Sequence, residues 1–242
     1  MDDDNTIEKF QEQYDDVMDK LKSGENFSFN RINDGEMRGV RSVGPVVARG
    51  HQEISESLHQ KLIEAVQFRK HNYYFGRVCS TCRRKNRAAF DRYVPDDYPH
   101  IVSSTLFCHN NMWEKFIDDF NKVAQNREIV WVSGPDQKLD KLEFEISNFI
   151  EVPCCDAWSK FEEVLPMVES FNPGCIVSLS CGPLARVLAY EWFKKRQDCT
   201  FFVMGSWYDP ITRGVWSRAQ YNAAPYCPEC NLTGVKKEKA DE

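Results

Sequence analysis

Residues 175–195 read CIVSLSCGPLARVLAYEWFKK, and this stretch decides the fold. Its first part, Cys175 to Leu179, is a short apolar run of the kind found in strands that are buried on both faces. The turn Ser180-Cys181-Gly182-Pro183 closes the run, and proline suits the first position of a helix. Apolar residues then recur at helical spacing from Leu184 to Lys195. The stretch therefore predicts a buried strand, a tight turn and a helix.

Two further apolar runs extend this pattern along the chain. Thr200 to Met204 follows the helix and ends at Gly205, while Glu128 to Val132 precedes it and ends in Ser133-Gly134-Pro135-Asp136. Strands that alternate with helices form right-handed βαβ units, and the resulting parallel sheets bind ligands at the carboxyl ends of their strands. We therefore predict an α/β fold with a parallel sheet, and a binding site in the loops that follow these runs.

The amino-terminal half adds helices and one strand. Apolar residues recur at helical spacing in residues 5–22, 53–69 and 111–124, which predicts three helices. Between the first two, Asn26 to Ile32 alternates as a strand does and runs into the turn Asn33-Asp34-Gly35. The acidic residues that follow this strand are thus expected beside the other strand-end loops.

The composition is that of a globular protein. Of the 242 residues 42% are hydrophobic, enough for one core, so we expect residues 1–242 to form a single domain. The net charge of -6 argues against general nucleic-acid binding, which needs a surplus of Lys and Arg. The chain lacks the run of about 20 apolar residues that a membrane span needs, and its acidic start is unlike a signal peptide. We expect a cytoplasmic protein with no membrane span and no nucleic-acid partner.

Asp34, Gly35 and Glu36 form the first chemical motif. Two carboxylates two residues apart around a glycine can turn toward one hard cation, and Mg²⁺ or Mn²⁺ prefers such oxygen ligands. A cation held by few protein oxygens keeps positions for phosphate oxygens and stabilises the charge of a departing nucleoside diphosphate. Because an Asp-Gly pair is also an ordinary turn, the tripeptide by itself leaves both interpretations open.

The surroundings of this motif resemble a known enzyme family. The stretch FSFNRINDGE, residues 27–36, resembles the signature Arg-x-Gly-Asp-Gly-Glu of the GT-D type glycosyltransferases, with Asn33 in place of a family glycine. The resemblance continues through Ala157-Trp158, residues 177–190 and Met204-Gly205-Ser206, where Ser206 replaces a family histidine. It covers most of the chain outside residues 70–105 and 215–242.

This resemblance implies a Rossmann-like sheet flanked by helices and a metal-dependent hexosyltransferase activity. In such enzymes the acidic pair binds Mn²⁺ or Mg²⁺ and the diphosphate of a nucleotide-sugar such as UDP-glucose, and the sugar passes to a glycan or glycoprotein acceptor. On matching positions Asp34 and Glu36 are the metal ligands and the catalytic carboxylates. Arg31 is the preceding family arginine, which either contacts a phosphate or pairs with Asp34.

Residues after the other strands complete the expected donor site. Gly182 and Pro183 open a helix whose backbone N–H groups attract phosphate, although a simple strand-to-helix turn has the same sequence. Asp209 is the candidate base for the acceptor's proton in an inverting transfer. Trp207 and Tyr208 beside it either stack on a sugar or base or belong to the core. The expected donor-binding residues are Arg31, Asn33, Gly134, Asp136, Gly182, Pro183, Gly205 and Ser206.

The cysteines predict a second, structural metal site. Two C-x₂-C pairs have the spacing that presents thiolates to tetrahedral Zn²⁺, and four thiolates leave no open position for catalysis. We expect this zinc to clamp an insertion in residues 70–105 to the segment 215–235, with 236–242 as a disordered tail. The expected ligands are Cys79, Cys82, Cys227 and Cys230. The other cysteines are expected in or near the core: Cys108, Cys154, Cys155, Cys175, Cys181 and Cys199.

Three features keep other functions open. Asn33 and Ser206 depart from the family, which suits a zinc-stabilised nucleotide- or glycan-binding module without catalysis. The basic residues between Arg77 and Arg87, beside the aromatic residues 73–75, either hold a polyanion or sugar acceptor or form a solvated face. A nuclease that uses the acidic pair for two-metal cleavage is disfavoured by the net charge and by the want of further paired carboxylates.

Overall fold

A parallel sheet forms the centre of the computed structural model, which describes residues 7–32, 34–46, 52–78, 84–94, 97–107 and 112–215. The strands in these ranges are β1 (Ser28–Arg31), β2 (Gly44–Val46), β3 (Gln52–Ile54), β4 (Tyr73–Arg77), β5 (Ile101–Ser103), β6 (Ile129–Ser133), β7 (Asn148–Glu151), β8 (Ile176–Ser180) and β9 (Thr200–Val203). The helices are α1 (Ile7–Ser23), α2 (Asp34–Arg41), α3 (Glu56–Gln67), α4 (Arg84–Asp91), α5 (Met112–Ala124), α6 (Phe161–Val164), α7 (Pro183–Lys195) and α8 (Asp209–Thr212).

The strand order places β1 near the middle of the sheet. Within the described residues seven strands follow the order β5-β4-β1-β9-β8-β6-β7, and every neighbouring pair is parallel. Ser28 of β1 is in register with Tyr73 of β4 on one side and with Phe201 of β9 on the other. Because all these strands run the same way, their carboxyl ends lie along one edge, called the carboxyl edge below.

The stretch 175–195 folds as its sequence predicts. Strand β8 is followed by Gly182, whose φ of 61° and ψ of −141° suit glycine alone, and Pro183 opens α7. Every residue of α7 from Leu184 to Phe193 is buried. The helix packs against β1, β9 and α3, which explains why it is apolar almost all round.

Helices cover both faces of the sheet. On one face α2, α3 and α7 enclose an aliphatic and aromatic core that includes Leu62 and Phe75. On the other face α1 and α5 enclose an aromatic core, in which Phe116 of α5 stacks on Phe202 of β9 with 6.1 Å between ring centroids. Because helices cover both faces, a ligand reaches the sheet most readily at the ends of its strands, and in parallel sheets this is at the carboxyl edge.

The fold confirms the predicted α/β class and corrects parts of it. The three predicted helices appear as α1, α3 and α5, each within a few residues of the expected bounds. Residues 70–105, expected as an insertion, supply β4 and β5 to the central sheet, and the aromatic residues 73–75 are buried in β4 instead of lining a surface patch. No described helix has the length and apolar character to cross a membrane.

The predicted zinc site lies outside the part of the chain that the structure describes. All four of its cysteines are outside the described residues, and so are the tail 236–242 and most of the segment 215–235. The zinc clamp therefore stays a prediction. The four residues are Cys79, Cys82, Cys227 and Cys230.

Candidate functional site

The carboxyl edge brings together the loops that the sequence singles out. They follow β1, β9, β8 and β6, which are adjacent in that order in the sheet. Because neighbouring strands lie about 4.8 Å apart, the loops after β1 and β6 are separated by about 14 Å. By strand spacing, the acidic motif after β1 and Asp136 after β6 thus lie at opposite ends of this row of loops.

The acidic motif begins a helix instead of forming an open turn. Helix α2 starts at Asp34, so Asp34 and Glu36 both belong to its first turn, where the helix dipole favours negative charge. The side chain of Glu36 is buried, with 7% of the residue exposed. Asn33 and the side chain of Asp34 lie outside what the structure describes, so their predicted contacts stay predictions.

Glu36 pairs with a residue that sequence reasoning passed over. Nη2 of Arg186, in the first turn of α7, lies 3.0 Å from Oε1 of Glu36. The other two guanidinium nitrogens donate to backbone carbonyls, Nε to Arg31 at 2.8 Å and Nη1 to Gly182 at 2.8 Å. The carbonyl of Arg186 in turn accepts a hydrogen bond from Nδ2 of Asn30 at 3.0 Å. A single arginine among the apolar residues that begin α7 was the sequence signal for this role.

Arg31 ends β1 and is held by residues that follow β9. Its guanidinium carbon lies 4.9 Å from the ring centre of Trp207, a cation–π contact. On another side, a β-carbon built on Gly205 would lie 3.2 Å from Nη2 of Arg31. Trp207 is itself fixed, because Nε1 of Trp113 donates to its carbonyl at 2.7 Å. These contacts place the predicted donor residue Arg31 against the β9 loop.

Trp207 and Tyr208 belong to the core. Both are almost fully buried, at 0% and 2% exposure, among the aromatic side chains between the sheet and α5. The hydroxyl of Tyr208 donates to Oδ1 of Asn121 at 2.9 Å, and burial raises the pKa of this phenol well above its usual value. This settles the choice left open by the sequence, since neither ring is available to stack on a sugar.

The loops after β6 and β9 are joined by an arginine. Nη2 of Arg213 lies 2.6 Å from Oδ2 of Asp136, and its Nη1 lies 3.7 Å from Oδ2 of Asp209. The structure therefore brings the predicted base Asp209 and the predicted donor-binding residue Asp136 to the guanidinium of Arg213. Asp209 opens the short helix α8, and 9% of the residue is exposed.

Gly134 and Cys154 border this pair of carboxylates. The thiol of Cys154 donates to Oδ1 of Asp136 at 3.6 Å, and a β-carbon on Gly134 would lie 2.6 Å from that sulfur. Burial and the negative charge of Asp136 raise the pKa of the Cys154 thiol. The absence of a side chain at Gly134 is therefore what lets the loop after β7 approach the loop after β6.

The cysteine predictions divide into two groups. Cys175, Cys181 and Cys199 are buried as expected, and burial raises the pKa of Cys181 to about 12. Cys154 and Cys155 are exposed, which corrects the prediction for these two. They lie in the loop after β7 at the carboxyl edge, where the chain leaves the core. Cys108 lies outside the described residues.

Comparison with known proteins identifies the fold. No family model and no curated protein matches the chain. Three solved structures are similar. A selenomethionine-substituted domain of unknown function 1792 matches with a TM-score of 0.61 and 15% identity, over 90% of this chain and 87% of that one. The same domain, described as having a distinct glycosyltransferase fold, matches with a TM-score of 0.62 and 14% identity, over 97% of this chain and 91% of that one. A new glycosyltransferase with this domain, from Streptococcus sanguinis, matches with a TM-score of 0.60 and 16% identity, over 85% of each chain. At these identities the similarity shows the fold alone. The chain thus has a mixed α/β architecture that matches a glycosyltransferase fold.

Proposed function

We propose that this chain is a divalent-metal-dependent glycosyltransferase. It would transfer a sugar, a hexose by analogy with the GT-D enzymes, from a nucleotide-sugar to a glycan or glycoprotein acceptor, and a UDP-sugar is the first donor to test. One observation carries the proposal: Arg186 joins the helix of the acidic motif to the Gly182 turn at the carboxyl edge. That edge belongs to a fold described as a glycosyltransferase fold in a similar structure.

The described part of the acidic motif suits a hard divalent cation. Glu36 carries a carboxylate in the first turn of α2, and Mg²⁺ and Mn²⁺ prefer such oxygen ligands. That Asp34 joins Glu36 on the same cation is part of the proposal, because its side chain lies outside the described residues. The ion pair of Oε1 with Arg186 is compatible with this role, because a carboxylate has two oxygens and about four lone-pair sites. When bound there, the metal would supply positive charge to the departing diphosphate.

The chain's own groups would orient the donor along the carboxyl edge. The amino terminus of α7 presents backbone N–H groups and the positive end of its dipole to a phosphate beside Gly182. Asp136, about 14 Å from the acidic motif by strand spacing, would meet the ribose or base end of the donor. Gly134, Gly205 and Ser206 border the same edge and would complete the donor site.

Asp209 remains our candidate for the base in an inverting transfer. In that step the acceptor oxygen forms a bond to the anomeric carbon while the bond from that carbon to the phosphate oxygen breaks. The electron pair of the broken bond leaves with the nucleoside diphosphate, and the acceptor's hydroxyl proton passes to the carboxylate of Asp209. The position of Asp209 after β9, at the start of α8 on the carboxyl edge, supports this proposal.

Release of nucleoside diphosphate from a panel of nucleotide-sugars, with Mn²⁺ or Mg²⁺ and with simple sugars or water to accept the transferred sugar, tests the proposal. We expect metal-dependent release by the wild type and by the control Glu64→Gln, which alters a half-buried pair with Lys61 on α3. The Asp34→Asn, Glu36→Gln double variant should lose release while it keeps a cooperative unfolding transition. Donor binding without release would favour the non-catalytic binding module instead. Neither binding nor release with any donor would reject both.

A further inference from the structure

Arg186 is a buried cation in an unfavourable place. Only 2% of the residue is exposed, and its neighbours Leu184, Ala185, Val187 and Leu188 are all buried in the core. It also lies in the first turn of α7, where the helix dipole disfavours positive charge. Since an apolar side chain is often at least as stable as a buried ion pair, stability alone does not account for an arginine here.

Each of the three guanidinium nitrogens of Arg186 contacts a different part of the candidate site. Nη2 contacts the carboxylate of Glu36 after β1, Nε contacts the carbonyl that ends β1, and Nη1 contacts the carbonyl of Gly182 after β8. The Gly182 carbonyl also accepts a hydrogen bond from the backbone N–H of Ala185 at 3.1 Å, so two hydrogen bonds fix the orientation of this carbonyl. A planar guanidinium makes three such contacts in fixed directions, and a lysine ammonium does not.

We propose that Arg186 is a positioning residue that couples the metal-binding carboxylate to the diphosphate-binding turn. This inference rests on the proposed function. Because its guanidinium is buried and its three nitrogens are engaged, Arg186 acts through Glu36 and Gly182 and not by touching the donor. It sets the direction of the Glu36 carboxylate and the conformation of the Gly182 turn together, so a disturbance at either one reaches the other.

Arg196 provides a matched control at the other end of the same helix. It also binds two carbonyls and a carboxylate: Nη1 donates to Val168 at 3.1 Å, Nη2 to Phe171 at 3.1 Å, and Nε to Asp198 at 2.7 Å. It lies ten residues beyond Arg186, about 15 Å along a helix. Arg196→Lys therefore removes a similar set of contacts far from the carboxyl edge.

The first test compares Arg186→Lys and Arg196→Lys with the wild type. We measure the Kd for Mn²⁺ by titration calorimetry, the KM for donor, and the thermal unfolding transition. Loss of a residue that orients a metal ligand weakens metal affinity or activity by about 10- to 100-fold, and we expect this for Arg186→Lys. Arg196→Lys should leave the Kd and the KM within about twofold of wild type, because its contacts do not reach the site.

The outcomes separate the two proposals. A folded Arg186→Lys with wild-type Kd and KM overturns the positioning role while leaving the transferase proposal intact. A wild type that binds neither Mn²⁺ nor any nucleotide-sugar overturns the proposed function itself. Equal losses in both lysine variants would show a general effect of replacing an arginine that binds backbone carbonyls, and would also overturn the specific role of Arg186.

A second measurement on the wild type covers the case in which Arg186→Lys does not fold. In a chain labelled with ¹⁵N-arginine, the buried Nε–H group of Arg186 gives a side-chain resonance protected from exchange by its bond to the Arg31 carbonyl. Saturating Mn²⁺ should broaden this resonance far more than that of Arg196, because paramagnetic broadening falls steeply with distance. A sharp Arg186 signal in the presence of bound Mn²⁺ would overturn the proposal.

Discussion

A β-carbon on Gly205 would lie 3.2 Å from Nη2 of Arg31, so the glycine after β9 determines where the arginine at the end of β1 can sit. Gly205 has a φ of 61° and Gly174 one of 83°, but a β-carbon on Gly174 meets nothing within 4 Å. Alanine at either position should cost about 1–2 kcal/mol of unfolding free energy through backbone strain.

Gly205→Ala should in addition raise the KM for donor about two- to fivefold, because the guanidinium of Arg31 must move by a few tenths of an ångström. Urea unfolding and donor kinetics on both variants check this. Equal kinetics in Gly205→Ala and Gly174→Ala would show that the placement of Arg31 does not matter for the reaction.

Arg213→Gln should separate activity from stability. The side chain is 38% exposed, so removal of its ion pairs should change the unfolding free energy by less than about 1 kcal/mol. Asp136 would then meet the ribose or base of the donor, and Asp209 the acceptor, without the guanidinium that holds both carboxylates in place. We expect kcat/KM to fall about tenfold, or about 1.4 kcal/mol. The control is Lys195→Gln, which removes an exposed pair with Glu169 at the end of α7. A matching fall in kcat/KM for the control would contradict the assignment.

The reactivity of Cys154 should report the charge on Asp136. Burial and the Asp136 carboxylate raise the thiol pKa, so the thiol stays protonated to higher pH than a free cysteine. Its alkylation should therefore be slow near neutral pH and accelerate only in more alkaline buffer. In a Cys155→Ser background, iodoacetamide labelling followed by mass spectrometry gives the pH profile.

Asp136→Asn should shift that profile part of the way back toward lower pH, because it removes the carboxylate and leaves the burial. A profile unchanged by Asp136→Asn would mean that the two groups do not interact in solution.

The zinc prediction has its own readout. Purified protein should contain about one Zn²⁺ per chain by elemental analysis, because two C-x₂-C pairs make one tetrahedral site. A Cys79→Ser, Cys82→Ser variant should lose the metal and unfold at a lower temperature, since structural zinc contributes to folding free energy. The control Cys154→Ser changes an exposed thiol and should keep the zinc. The site would be rejected if purified wild-type protein contained no zinc and had the same melting temperature as the Cys79→Ser, Cys82→Ser variant.

Much of the sheet follows from local patterns. β6, β8 and β9 are continuous apolar runs because both faces of each strand are buried, and the turn at Gly182 has residues suited to end a strand and start a helix. β7 escaped notice because it is an edge strand in which only Ile150 is buried. β4 and β5 were not predicted, because residues 70–105 lie outside the family resemblance and contain a C-x₂-C pair, which suggested an insertion. In the structure β4 pairs with β1 and β5 with β4, so they extend the main sheet.

The sequence predicted which loops form the candidate site, but it did not predict which side chains contact one another there. Residues that follow parallel strands must meet at one edge, so the positions of Asp34, Asp136, Gly182 and Gly205 follow from the strand pattern alone. The bond from Arg186 to the Arg31 carbonyl joins residues 155 positions apart in sequence. Such a contact depends on how α7 packs over β1, which no local pattern reveals.

A thermal-shift measurement tests the central claim most directly. Wild type and the Asp34→Asn, Glu36→Gln variant are heated with nucleoside diphosphates and nucleotide-sugars, each with and without Mn²⁺. Ligand at about 100 times its Kd should stabilise the wild type by ~2.7 kcal/mol, or about 5–10 °C for a chain of this size. The account predicts a shift with one class of nucleotide that requires the metal and is absent from the variant. A metal-independent shift of equal size in both proteins, or no shift with any nucleotide, would contradict it.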